Sequence, residues 1–89
     1  MEEQERLAQY IADDIKAHHV EIGKEAEYGL DTSMEQYGLD SLALVEAALR
    51  LGDGMRLPDM LLHIELADTP NTIADKVLTI RKGQENAKS

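Results

Sequence analysis

The sequence predicts an all-α fold, a four-helix bundle with a long loop between the first and second helices and a short third helix. Apolar residues recur at helical spacing in separate stretches, and glycine and proline punctuate the chain between them. No segment alternates apolar and polar residues as a half-buried strand does. Eighty-nine residues suit one domain, which we place at 1–83, with 84–89 as a polar C-terminal tail.

The first helix is expected over 2–19. Leu7, Ala8, Ile11 and Ile15 form its apolar stripe, which Ile22 continues. Glu2, Glu3 and Glu5 at its start and Lys16, His18 and His19 at its end suit the helix dipole. Gly23 marks its stop. Residues 20–40 then form a long connection, which in a compact domain is functional or is pinned by its own apolar side chains. Ile22, Leu30, Met34 and Tyr37 are the expected pins, and Ser33-Met-Glu-Gln36 has the pattern of a capping box over one helical turn. The second helix is expected over 41–51, stopped by Gly52-Asp53-Gly54. Leu57–Leu62, with Pro58 in its first turn, reads as a short third helix. The fourth begins after Thr69-Pro70-Asn71-Thr72, turns Ile73, Val77 and Ile80 inward, and ends at Gly83.

Nine basic and eighteen acidic residues give a net charge of −9. Nucleic-acid binding depends on neutralising phosphates with Lys and Arg, so the chain is a poor candidate for it, and anionic membrane surfaces are equally disfavoured. A strongly acidic domain is steered instead towards basic patches on other proteins, although acidity by itself also serves solubility. No cysteine is present, so no disulfide or thiolate metal site is available. No apolar run approaches the roughly 20 residues that span a bilayer, and the acidic start Met1-Glu-Glu-Gln-Glu-Arg is unlike a targeting segment. A soluble cytoplasmic protein is the expectation.

The stretch that carries chemistry is Gly38-Leu39-Asp40-Ser41-Leu42, directly before the second helix. An Asp-Ser pair there sets a primary hydroxyl beside unpaired backbone N–H groups and the positive end of the helix, where an anion such as a phosphodiester is welcome. A plain helix cap is the competing reading of the same residues. Catalysis is not supported. Ser41 has no patterned base or orienting group, and His18, His19 and His63 share no motif. Adjacent His18 and His19 point about 100° apart on a helix and poorly suit one metal. His18, nearest the apolar face, is expected to be partly buried.

Gly38-Leu39-Asp40-Ser41-Leu42, then Val45-Glu46, Leu57-Pro58-Asp59 and a Thr/Pro-rich lead into a closing helix resemble the acyl carrier protein family over about residues 4–82. The resemblance implies a non-catalytic four-helix bundle whose Ser41 receives 4′-phosphopantetheine from coenzyme A through a Mg²⁺-dependent transferase. Asp40 would help that transferase bind, and acyl intermediates would be held as thioesters on the arm. Leu42, Val45, Glu46 and Leu49 would form the surface read by acyl-loading and acyl-processing enzymes with basic patches. The implied protein is a discrete, monomeric carrier for fatty-acid or polyketide-type synthesis. An aminoacyl or peptidyl carrier is the alternative within the same mechanism, and an unmodified helical adaptor the alternative outside it. The stretch from Ser41 to Pro58 is shorter than is usual in the family, which predicts a second helix ending about half a turn early.

Two further features bear on the site. Tyr28-Gly-Leu-Asp31 and Tyr37-Gly-Leu-Asp40 are a near repeat. Only the second copy runs into helix formers, so it holds the site, and the likeness reads as coincidence. On a helical wheel Leu42, Val45 and Leu49 form one stripe, and Leu44, Ala47, Ala48 and Leu51 another. Either the helix is deeply buried, or the Leu44 stripe faces the core and the Leu42 stripe faces partners.

Overall fold

The computed structural model describes the backbone of residues 2–58 and 61–88 and the side chains of 3–58 and 61–83. Among the described residues four α-helices carry the fold: α1 (Glu2–His19), the single turn α2 (Met34–Tyr37), α3 (Ser41–Gly54) and α4 (Pro70–Lys88), with a 3-10 turn at Glu25–Glu27. No strand occurs among the described residues, as the sequence predicts. α4 packs chiefly along α1, and α3 closes the bundle against α1. The core draws Ala8, Ile11 and Ile15 from α1, Leu44, Ala47 and Leu51 from α3, and Ile73, Ala74 and Val77 from α4.

The long connection is pinned as its composition demands. Met34 and Tyr37 are buried and Leu30 packs against the core, whereas Ile22 is 94% exposed. The expectation for Ile22 fails because the helix has already ended at His19, so helical periodicity no longer directs that side chain. Gly23 turns there at φ 98°, and its N–H donates to the Glu25 carboxylate. The capping box is present: the Ser33 hydroxyl accepts the Gln36 N–H while the Gln36 side chain accepts the Ser33 N–H. The Met34 and Glu35 N–H groups donate to the carbonyls of Asp68 and Leu66, and the Asn71 N–H to that of Leu30. These bonds staple the connection to the chain that leads into α4.

The two Tyr-Gly-Leu-Asp tetrapeptides meet in space. The rings of Tyr28 and Tyr37 stack with centroids 4.9 Å apart, and the Tyr37 hydroxyl donates to the Gly29 carbonyl. Burial, with a smaller push from Asp13, raises that hydroxyl's pKa to about 12, so it remains a donor. The aspartates diverge: Asp31 accepts from the Asn71 side chain, and Asp40 caps α3.

Three helix boundaries depart from expectation. α3 does not stop at Leu51 but runs through Gly52-Asp53-Gly54. Its end is a Schellman arrangement in which the Leu57 N–H donates to the Gly52 carbonyl and the Arg56 N–H to the Asp53 carbonyl. Arg56, at φ 58°, takes the left-handed position that glycine usually fills. α4 runs through Gly83 to Lys88, since one glycine in a helix costs only about 1 kcal/mol, so the backbone of 84–88 is helical. α4 also starts at Pro70, earlier than expected, where Thr69 and Thr72 each accept the other's N–H through their hydroxyls and Pro70 takes the first helical position. The expected short helix over 57–62 includes Asp59 and Met60, which lie outside the described residues. Leu57, Pro58, Leu61 and Leu62 are irregular, with a long turn-like bond from the Leu61 N–H to the Pro58 carbonyl.

Candidate functional site

The chain reaches α3 through a sharp reversal. Gly38 sits in the left-handed region at φ 95° and ends α2, a conformation glycine adopts without penalty. Leu39 buries its side chain in the core and so fixes the next residues at the rim. Asp40 is the N-cap of α3, its Oδ1 accepting the Ala43 N–H at 2.8 Å. Ser41 is the first residue of the helix and is exposed. Among the described residues the N–H groups of Ser41 and Leu42 have no protein acceptor. An exposed primary hydroxyl beside two outward N–H donors at a helix N-terminus is a good seat for a phosphodiester.

The helix below Ser41 is two-sided. Leu42, Val45 and Leu49 are 67%, 56% and 53% exposed, whereas Leu44 is 9% and Ala47 and Leu51 are 0% exposed. Burial thus separates the two stripes of the wheel, with the Leu44 stripe facing the core. Glu46 is exposed beside the open stripe. Arg50 instead reaches across to α1, its guanidinium donating twice to Asp14 Oδ1 at 2.9 and 2.6 Å.

A cavity of about 150 Å³ lies between α3 and the residues 57–58 and 62–64. Leu44, Val45, Ala48, Leu49, Gly52 and Asp53 line its α3 wall; Leu57, Pro58, Leu62, His63 and Ile64 line the other. The first five lie three, four, seven, eight and eleven residues after Ser41, which at 100° per residue is the serine's own face of the helix. The opposite wall is tied to α4 through Lys76, whose ammonium donates to the His63 carbonyl at 2.8 Å and to Asp68 Oδ2 at 2.6 Å. Burial of Asp68 opposes ionisation, but hydrogen bonds from Lys76, the Glu65 N–H and the Thr72 hydroxyl outweigh it and hold the pKa below the usual carboxylate value.

The sequence motif names Ser41 and Asp40 and the helical wheel names two stripes; the structure decides between the stripes and brings Ser41, Asp40 and the exposed Leu42 stripe together on α3. It does not reveal the cavity. Gly52 reads in sequence as a helix stop, and Leu57–Ile64 has no periodicity that names its facing partner. Lys76 is equally silent, because it bonds to a carbonyl thirteen residues away. Nor do the histidines sort as expected: His18 is exposed, its Nδ1 at 2.9 Å from the Asp14 carbonyl, while His19 hides an Nε2 without a hydrogen-bond partner. No group of metal-ligating side chains occurs among the described residues, and no helix there is long and apolar enough to cross a membrane.

A family model for the phosphopantetheine attachment site matches residues 5–77, most of the chain. No curated protein and no solved structure matches it.

Proposed function

Because the chain belongs to the phosphopantetheine attachment-site family, we propose that it is an acyl carrier protein whose arm is attached at Ser41, serving fatty-acid or polyketide-type synthesis. Membership makes it a carrier domain rather than a catalyst, bearing 4′-phosphopantetheine covalently. Its partners are accordingly a phosphopantetheinyl transferase and acyl-handling enzymes. When attached, the arm supplies a thiol that holds acyl groups as thioesters.

The assignment of the serine rests on one comparison. The chain has three serines, Ser33, Ser41 and Ser89. Ser89 lies beyond the matched residues. Ser33 commits its hydroxyl to the capping box of α2, whereas Ser41 projects an exposed hydroxyl next to unpaired N–H donors. Asp40 holds those donors in place by capping the same turn, and its exposed carboxylate is our candidate for transferase recognition. Leu42, Val45 and Leu49, with Glu46 beside them, supply apolar contact and negative charge for partners with basic patches. The mainly apolar cavity on the same face favours an acyl cargo over an aminoacyl one, whose polar groups would find few hydrogen-bond partners there. We place the carrier in the cytoplasm, acting as a monomer.

Intact-protein mass measurement after incubation with coenzyme A and a permissive transferase tests this reading. One phosphopantetheinyl group is expected on the native chain and on Ser33→Ala, and none on Ser41→Ala. Loading that persists in Ser41→Ala would move the site elsewhere, and no loading with any of several transferases would leave only a helical adaptor.

A further inference from the structure

Gly52 lies inside α3 with no conformational reason to be glycine. Its backbone is helical and not left-handed, and a Cβ built on it meets nothing within 4 Å among the described residues. Glycine in a helix is destabilising relative to alanine, so local structure does not call for it at this position. Gly54 differs, because a Cβ there would come within 2.9 Å of the Tyr10 hydroxyl.

The open space beside Gly52 adjoins the cavity. Gly52 is part of the lining, and at about 20° from Ser41 on the wheel it falls between Ala48 and Val45, near the middle of the lining arc. Leu44 and Val45 are one turn from the serine, whereas Gly52 is three turns away, about 16 Å along the axis. It therefore marks the end of the cavity farthest from the attachment point, together with Asp53, Leu57 and Pro58. We infer that Gly52 determines the length of cargo this carrier can shelter: the missing side chain keeps the far end open for the tip of an apolar acyl chain. This rests on the proposed attachment at Ser41 and on the cavity as the cargo's seat.

The experiment has two arms. In the first, the full chain, Gly52→Ala and Gly52→Leu are loaded with straight acyl groups from about six to about twelve carbons, and thermal midpoints are compared with the unloaded forms, since a group that binds only the folded state raises the midpoint. In the native chain the gain should grow with chain length. In Gly52→Leu it should stop growing roughly three methylenes earlier, in line with the volume of the added side chain. Gly52→Ala should lose about one methylene of reach while its unloaded midpoint rises. The second arm uses unloaded protein and the neutral fluorophore N-phenyl-1-naphthylamine, whose binding should weaken several-fold in Gly52→Leu. Identical length profiles in all three proteins, or unchanged fluorophore binding in Gly52→Leu, would overturn the inference, as would a fall in the unloaded midpoint of Gly52→Ala. Failure to load Ser41 would instead defeat the attachment reading, and the fluorophore arm would still decide the role of Gly52.

Discussion

Leu42 and Leu44 are two residues apart on α3 and occupy opposite environments, one facing solvent and the other the core. Truncating Leu51, which is fully buried, should cost about 2–5 kcal/mol, as buried leucines do. Leu44→Ala should fall at the low end of that range, because its side chain already borders a void. Leu42→Ala and Leu49→Ala, more than half exposed, should each cost less than about 1 kcal/mol. Those two changes should nevertheless slow transferase loading, since the partner loses apolar contact beside Ser41. Urea denaturation paired with a loading assay on the four variants checks both statements. Equal destabilisation by all four would contradict the two-sided reading of the helix.

At the level of elements, an ion pair crosses the joint between α1 and α3. Arg50 bridges to Asp14 at 2.6 Å, and His19 sits close by at the end of α1 with its Nε2 buried and unpartnered. Burial lowers the pKa of His19, and the positive charges of Arg50 and His18 lower it further, against smaller opposing effects of Asp14 and Glu46. The folded state therefore takes up this proton less readily than the unfolded chain. Its contribution to stability is fully present above the unfolded value of 6.5 and is lost as pH falls from there through the lower folded value. Asp68 acts in the same direction at lower pH: its carboxylate pKa is also lowered, so its stability is present above 3.8 and lost as pH falls below it. Denaturation midpoints should thus decline between about pH 7 and pH 5.5 in the native chain, and His19→Gln should flatten that decline. A variant with the native slope would assign the loss to another group.

For the whole molecule, nine excess negative charges crowd a domain with a radius of gyration of 12.8 Å. Self-repulsion at that density opposes compaction, and salt screens it over about 8 Å at physiological ionic strength. Thermal midpoints should rise with moderate NaCl, and further with Mg²⁺ at matched ionic strength. A flat response to both in scanning calorimetry would mean that the carboxylates are too dispersed to repel. The Leu42 stripe is exposed beside the exposed Glu46, and under the proposed function it would meet partners that bring both apolar and basic groups.

Local chemistry explains what was legible without coordinates. The apolar period of α1, the capping box at Ser33–Gln36, and the Asp-Ser pair before α3 are each decided by neighbours within a few residues, so the all-α class and the exposed position of Ser41 follow from sequence alone. The near repeat was legible as well, but its stacking of Tyr28 on Tyr37 was not, because a sequence likeness does not say that two tyrosines face each other. Only tertiary structure decided which stripe of α3 is covered, since that depends on where α1 and the core residues Leu57, Leu62 and Ile64 lie. It also carried α3 past its glycines: the Schellman end needed Leu57 and Arg56 to reach back to Gly52 and Asp53, and Leu57 does so while buried in the core. The cavity belongs to this second kind. It is the space that two non-adjacent segments leave between them, and neither segment encodes it by itself.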